Sequence, residues 1–241
     1  MDRFFSVEVL SQTTNPQQVI YAAMHQDYAE SFVWAERDQF PDEAKSGEVV
    51  VRNLLSGNRG HYGPLEHPQI VLNCGYFPHS TMQQIRTHRV GISFDVQSFR
   101  YTGQRIIDVV EGKRDLEEVF YLRPLGAYTD RQGKRYEYTE SLRQEDLEWC
   151  LEACKRYHQR INQGFSEEHA RGLIPFDIRQ HWVMSANVRS LMHLLDLRWK
   201  ADAQLEAQEL CELIWLQFKN WVPTIADWYV SNRAKKARLA P

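Results

Sequence analysis

Strand-like and helix-like segments follow one another along this chain in no regular order, and that irregularity limits its fold more than any other feature. Successive parallel strands need a crossover, usually a helix, between them, and no strand–helix–strand rhythm repeats here. "FFSVEVLS" near the N-terminus alternates as a strand. "NPQQVIYAAMHQDY" follows as a helix, with Asn15 as its cap and Pro16 at its first position. "PDEAKSGEVVVRNLLSG" places its valines and leucines on one helical face and closes at Gly57. "HPQIVLNCGYF" reads as a buried strand bounded by Pro68 and Pro78, and "STMQQIRTHR" as a short helix capped by Ser80. "GKRDLEEVFYLRPLGAYTDRQGKRYEY" is charged and turn-rich, so segment 103–138 is expected to be an irregular lid or surface excursion.

The C-terminal half is mainly helical. Residues 139–164 form a long amphipathic pattern, with Leu142, Leu147, Leu151, Cys154 and Tyr157 on neighbouring turns. "SEEHARGLIP" is a short helix capped by Ser166, and "FDIRQHWVMSA" alternates as a strand. "NVRSLMHLLDLR", "ADAQLEAQELCELIWLQFKNW" and "VPTIADWYVSN" are three further helices. The reading is α+β: a single domain over residues 1–241, with a mixed or antiparallel sheet flanked by long helices. No repeat, low-complexity tract or flexible linker divides it.

Charge excludes some functions. The formal net charge is -3, so no global field draws the chain to nucleic acid or an anionic membrane, and any basic feature is local. The N-terminus has no signal-peptide pattern and no run is long enough to span a bilayer, so a cytoplasmic protein is expected. Cys74, Cys150, Cys154 and Cys211 all lie among apolar residues without a CxxC pair, and are read as small core residues. Lys155 and Arg156 next to Cys154 leave that one open to a reactive role. Neither GxGxxG nor GxxxxGK[ST] occurs, so a nucleotide must be held in another way.

The local basic feature is "RTHRVGISFDVQSFRYTGQR", residues 86–105, with four arginines and a histidine against one aspartate. Arg171, Arg189 and Arg198 lie downstream, the last two in apolar sequence where a solvated charge is not expected. Guanidinium groups fork phosphate and imide oxygens, which lysine does not do. The competing reading for Arg189 and Arg198 is structural pairing with Asp196, Asp202 or Glu206. Asn187 and His193 either present polar edges to a ligand or serve as a helix cap and a hydrogen-bonded core histidine. His61, Glu66 and His67 suggest a metal, but Gly63-Pro64 breaks the backbone between them, and no metal site is expected. Ser98 lacks a nucleophile elbow and a base, and reads as a hydrogen-bonding hydroxyl.

"THRVGISFDVQSFRY" resembles the signature of the flavin-dependent thymidylate synthases: Arg-His-Arg, seven or eight residues, Ser, then Arg-Tyr. "GHYGPLEH", "ARGLIP" and "NVRSLMHLLDLR…DAQLE" are similar to three further segments of that family, in the right order, from about residue 60 to 206. The resemblance implies an α+β homotetramer with active sites shared among subunits. It also implies reductive methylation of dUMP to dTMP, with methylenetetrahydrofolate as carbon donor, NADPH as reductant, FAD as cofactor and no cysteine nucleophile.

Carried over by position, Gln84, Gln97, Ser98 and Arg100 would hold dUMP, with Arg171 on its phosphate. Arg86 joins that set, because Thr87 stands where the motif has its first arginine. Arg198 would face the uracil imide as the catalytic cation. His61, Gly63, Thr87, His88, Arg89, Asn187, Arg189 and His193 would contact FAD. One extra residue separates Arg89 from Ser98, Gly63 stands where a side chain is usual, and His193 stands where Asn is frequent. Two other readings remain: a single-stranded nucleic-acid module stacking bases on Phe94, Phe99 and Tyr101, and a flavin- and nucleotide-binding relative without turnover.

Overall fold

The structure is a computed structural model that describes residues 1–57, 59–130 and 132–236. Its class is α+β. Strands β1 (Ser6–Gln12), β2 (Gln69–Pro78), β3 (Ile92–Val96) and β6 (Arg179–Asn187) form an antiparallel sheet in the order β1-β2-β6-β3. Strands β4 (Gly126–Thr129) and β5 (Arg135–Tyr138) pair antiparallel as a separate hairpin, Gly126 opposite Tyr138. Two compact units emerge: Met1–Ser6, Cys74–Gln84 and Asp95–Trp182 in the first, Val7–Asn73, Ile85–Phe94 and Val183–Pro241 in the second.

The first unit is organised by helix α6 (Glu140–Asn162), which Thr139 caps by accepting the Leu142 N–H. Cys150, Ala153, Cys154 and Tyr157 recur at helical spacing and are buried. Cys150, Cys154 and Tyr157 pack with Ile106 and Val109 of α4 (Gln104–Val110), Val119 of α5 (Leu116–Val119), and Phe120 and Ile178. Each such aliphatic side chain contributes about 1.5–3 kcal/mol on full burial. Leu142, expected on this face, is 44% exposed, because the buried stripe begins only at Cys150. Gly103 is required by contact: a Cβ there would stand 1.9 Å from the Tyr157 hydroxyl.

Segment 103–138 is therefore only partly the surface excursion its sequence suggests. Residues 104–121 contribute α4, α5 and core side chains, while residues 111–115 and the β4–β5 hairpin are largely exposed; Arg131 within the hairpin lies outside the described residues. Arg179 of β6 is almost wholly buried. Its guanidinium donates to the Glu117 and Tyr76 carbonyls and pairs with Asp2, each at 2.8 Å.

The second unit packs α1 (Pro16–His25), α2 (Glu43–Val50), α8 (Val188–Arg198), α9 (Leu205–Trp221) and α10 (Pro223–Asn232). Ile20, Val50, Leu194, Leu210, Phe218 and Ile225 are fully buried within it. Gln17 joins three helices: its amide oxygen accepts the Thr224 and Ile225 N–H groups at 3.0 and 3.2 Å, and its Nε2 donates to the Glu43 carbonyl. Asn15 adopts a left-handed conformation and its side chain caps nothing, so α1 relies on Pro16 for its start. After α2 the backbone widens into a π-helical turn, Val51–Leu55, before Gly57 reverses it at φ +79°.

Candidate functional site

Helix α3 (His79–Ile85) ends four residues earlier than its apolar pattern suggests, and a turn carries Arg86, Thr87 and Arg89 to the surface while His88 folds inward. Ser80 lies inside α3, one residue past its start, and its N–H donates to Asp177 Oδ1 at 3.3 Å. Gly91 follows at φ +68°, and a Cβ there would lie 2.1 Å from Ser190 Oγ and 2.6 Å from Asn187 Nδ2. The backbone thus passes directly over the start of α8. Asn187 caps that helix by accepting the Ser190 N–H at 2.8 Å, and Ser190 Oγ donates to the Val90 carbonyl at 2.9 Å. Its cap role leaves Asn187 buried with only its amide nitrogen uncommitted to the helix.

At the other end of α8, Arg198 Nε donates to His88 Nε2 at 2.9 Å, and the His88 and His193 rings meet edge to face with centroids 5.6 Å apart. An acceptor Nε2 requires the neutral tautomer with the proton on Nδ1. Burial, the Arg198 charge and His193, in that order, hold His88 down to about 4. Among the described residues no carboxylate pairs with Arg198, so neither Asp196, Asp202 nor Glu206 neutralises it. Its charge remains available to a ligand.

Arg189 instead pairs with Glu66, the last residue of the 3₁₀ turn Gly63–Glu66. Nothing lies within 4 Å of where a Gly63 side chain would stand. His61 is exposed and pairs with Asp27 at 3.2 Å. Among the described residues no group of three or more His, Cys, Asp or Glu gathers as a metal site. All eight residues expected to contact FAD, together with Arg86 and Arg198, belong to the second unit. Arg86 and Arg89 are exposed, Arg189 is half-exposed, and the backbone at Gly63 is open.

Gln84, Gln97, Ser98, Arg100 and Arg171 belong to the first unit. Ser98 Oγ accepts the Arg100 N–H at 3.4 Å and its carbonyl accepts the Thr102 hydroxyl, which folds the loop after β3 into a turn. Gln97 N–H donates to the His181 carbonyl, while its Oε1 is buried without a partner. Arg100 and Arg171 both approach Glu168, at 4.0 and 3.9 Å. The capping of α7 (Glu167–Ala170) by Ser166 carries Arg171 to the rim of a cavity of about 370 Å³, walled by His79, Phe99 and Phe176. Of the three rings considered as stacking platforms, Phe94 and Phe99 are half-buried and only Tyr101 is exposed.

Two polar groups carry no site role in the sequence reading: Arg105, counted in the basic stretch, and His181. Arg105 stacks on Phe99 at 5.3 Å, with Nε and Nη2 buried and unpartnered, and burial with Arg114 nearby lowers it to about 10. His181 is held down to about 4 by burial, Arg105 and Arg179. All four cysteines are buried and free. Burial raises every thiol, Cys150 and Cys154 to about 12, so none is a thiolate near neutrality.

Comparison with known proteins follows the same lines. The sequence model of a family described as "Thymidylate synthase complementing protein" matches residues 8–224. The flavin-dependent thymidylate synthase of Haloarcula marismortui is 32% identical, over 98% of this chain and 99% of its own. That of Halobacterium salinarum is 31% identical with the same coverage. Among solved structures, the UMP/dUMP methylase PolB from Streptomyces cacaoi, bound with 5-Br dUMP, superposes with a TM-score of 0.75 at 19% identity, covering 98% of this chain and 97% of its own. Thymidylate Synthase X from Helicobacter pylori, with FAD and dUMP, gives 0.67 at 17% identity, covering 91% and 97%. Both share the fold.

Proposed function

Because the chain belongs to the flavin-dependent thymidylate synthase family, we propose that it methylates dUMP reductively to dTMP, with FAD as cofactor, methylenetetrahydrofolate as carbon donor and NADPH as reductant. A single family match across both compact units supports treating residues 1–241 as one synthase domain. The observation that carries the reading is the Arg198–His88 pair: a fixed guanidinium whose hydrogen-bonded neighbour is a neutral imidazole.

Set against the uracil imide, such a cation favours the N3-deprotonated ring and raises electron density at C5. That activation replaces attack by a thiolate, which these four raised thiols do not provide. Gln84, Arg86, Gln97, Ser98 and Arg100 bind the nucleotide, and Arg171 holds its phosphate. His61, Gly63, Thr87, His88, Arg89, Asn187, Arg189 and His193 bind FAD, with cations on its diphosphate. Bound FAD supplies the hydride after reduction by NADPH. Because His88 stays neutral, it orients Arg198 without adding a second charge at the imide. The same reading includes a homotetramer with active sites shared among its subunits.

The purified protein is expected to be yellow, to oxidise NADPH faster with dUMP present, and to form dTMP when methylenetetrahydrofolate is added. A colourless preparation that takes up no added FAD and binds no dUMP would sink this reading.

A further inference from the structure

The residues on both sides of Arg198 are gripped by the end of the chain. Two positions before it, the Asp196 carboxylate is 3% exposed and receives Arg233 through both Nε and Nη2, while Tyr229 Oη donates to Oδ1 at 3.1 Å. One position after it, the Trp199 indole donates to Glu212 Oε1 at 2.8 Å. Lys235 donates to that same oxygen at 2.9 Å and lies over the Trp199 ring, 4.8 Å from its centroid. Arg233 and Lys235 directly follow α10.

The arrangement is costly for folding alone. A carboxylate in the last turn of a helix opposes the helix dipole, and burial raises Asp196 further, against the pull of Arg233 and Tyr229. Apolar side chains of similar volume in place of the whole Asp196–Arg233 pair are often as stable or more so. A helix end also frays, because its last carbonyls lack partners, and Arg198 is the last residue of α8. We infer that Arg233 and Lys235 are positioning residues which lock this last turn from both flanks and so set the direction in which Arg198 reaches His88 and the pyrimidine. The consequence for catalysis rests on the role proposed for Arg198; the clamp itself does not.

The test is an NMR titration of the His88 ring in the full chain, because Arg198 and His193 are the titratable groups that face it. Wild-type His88 titrates near 4. Lys235→Met removes the charge from both Lys235 contacts, the Glu212 pair and the Trp199 ring, at an exposed position, and Arg233→Lys keeps the charge while losing the fork. In each, the His88 midpoint is expected to rise by about one pH unit or more as Arg198 swings away; in Lys235→Arg it stays in place. The first two variants are also expected to lose about tenfold in dTMP turnover, with the KM for dUMP changed less than about threefold. An unmoved His88 in both variants overturns the inference, even where they melt at lower temperature, since that marks a merely structural contact. A moved His88 with unaltered turnover supports the clamp and removes Arg198 from the chemistry, which separates the two readings.

Discussion

Arg198 Nε donates to His88 Nε2 at 2.9 Å, so the inward-facing histidine of the basic stretch is an acceptor and keeps its own proton on Nδ1. One long side chain on α8 is thereby tied to the turn after α3, and a permanent cation stands beside a base that refuses a proton. The contact gives Arg198 a direction without neutralising it.

Acidification should loosen the fold through two buried histidines, His88 and His181. Folded His88 and His181 both titrate near 4, below the unfolded value of 6.5, so the unfolded chain binds more protons between those limits. The stabilisation is complete above 6.5 and is lost as pH falls towards 4, at up to about 1.4 kcal/mol per pH unit for each histidine. Urea denaturation at a series of pH values in wild type and His88→Gln checks this. The variant is expected to lose about half of the slope.

Arg198→Ala is expected to retain bound flavin and to lose about 100-fold or more in dTMP formation, the usual effect of removing one preorganised charge-stabilising donor. Absorbance of the bound flavin and a single-turnover assay for dTMP separate binding from chemistry. Unchanged dTMP formation removes the imide role.

Gly91→Ala places a Cβ inside the Ser190 and Asn187 contacts at a backbone angle of +68°. The strain amounts to about 1–3 kcal/mol, or about 2–4 °C of melting temperature per kcal/mol in a chain of this size. Differential scanning calorimetry reads it directly. Because the clash falls on the α8 cap, FAD affinity is expected to fall with stability.

Glu168 approaches both Arg100 and Arg171 in the first unit. A phosphate binding those arginines must compete with it, so Glu168→Gln is expected to tighten dUMP binding by about two- to fivefold at low salt, in line with an exposed ion pair. The gain should fade as ionic strength rises. Calorimetric titration at two salt concentrations makes the comparison.

Local signals were legible where the physics is local. Ser166 caps α7 and Asn187 caps α8 as their residue types imply, and the alternation of "FDIRQHWVMSA" does become β6. Arg189 could not be assigned a partner, because Glu66 lies 123 residues away and no spacing rule reaches that far. Arg179 sits in an alternating strand like any solvated arginine. Only tertiary structure brings the carbonyls of Glu117 and Tyr76 and the carboxylate of Asp2 to it. Strand β3 and the β4–β5 hairpin were hidden for a different reason. They are short, and "RYEY" and "ISFDV" mix charges with β-formers, so pairing rather than composition makes them strands.

The buried thiols have a pharmacological corollary. An electrophilic inhibitor built to capture the nucleophilic cysteine of the classical thymidylate synthase would find no reactive sulfur here, since every thiol is buried and raised in pKa. On the role proposed for Arg198, compounds meant to discriminate between the two enzyme types would have to be shaped to a guanidinium held by a neutral imidazole. Such a site rewards anionic, planar, imide-like heads and offers nothing to a warhead.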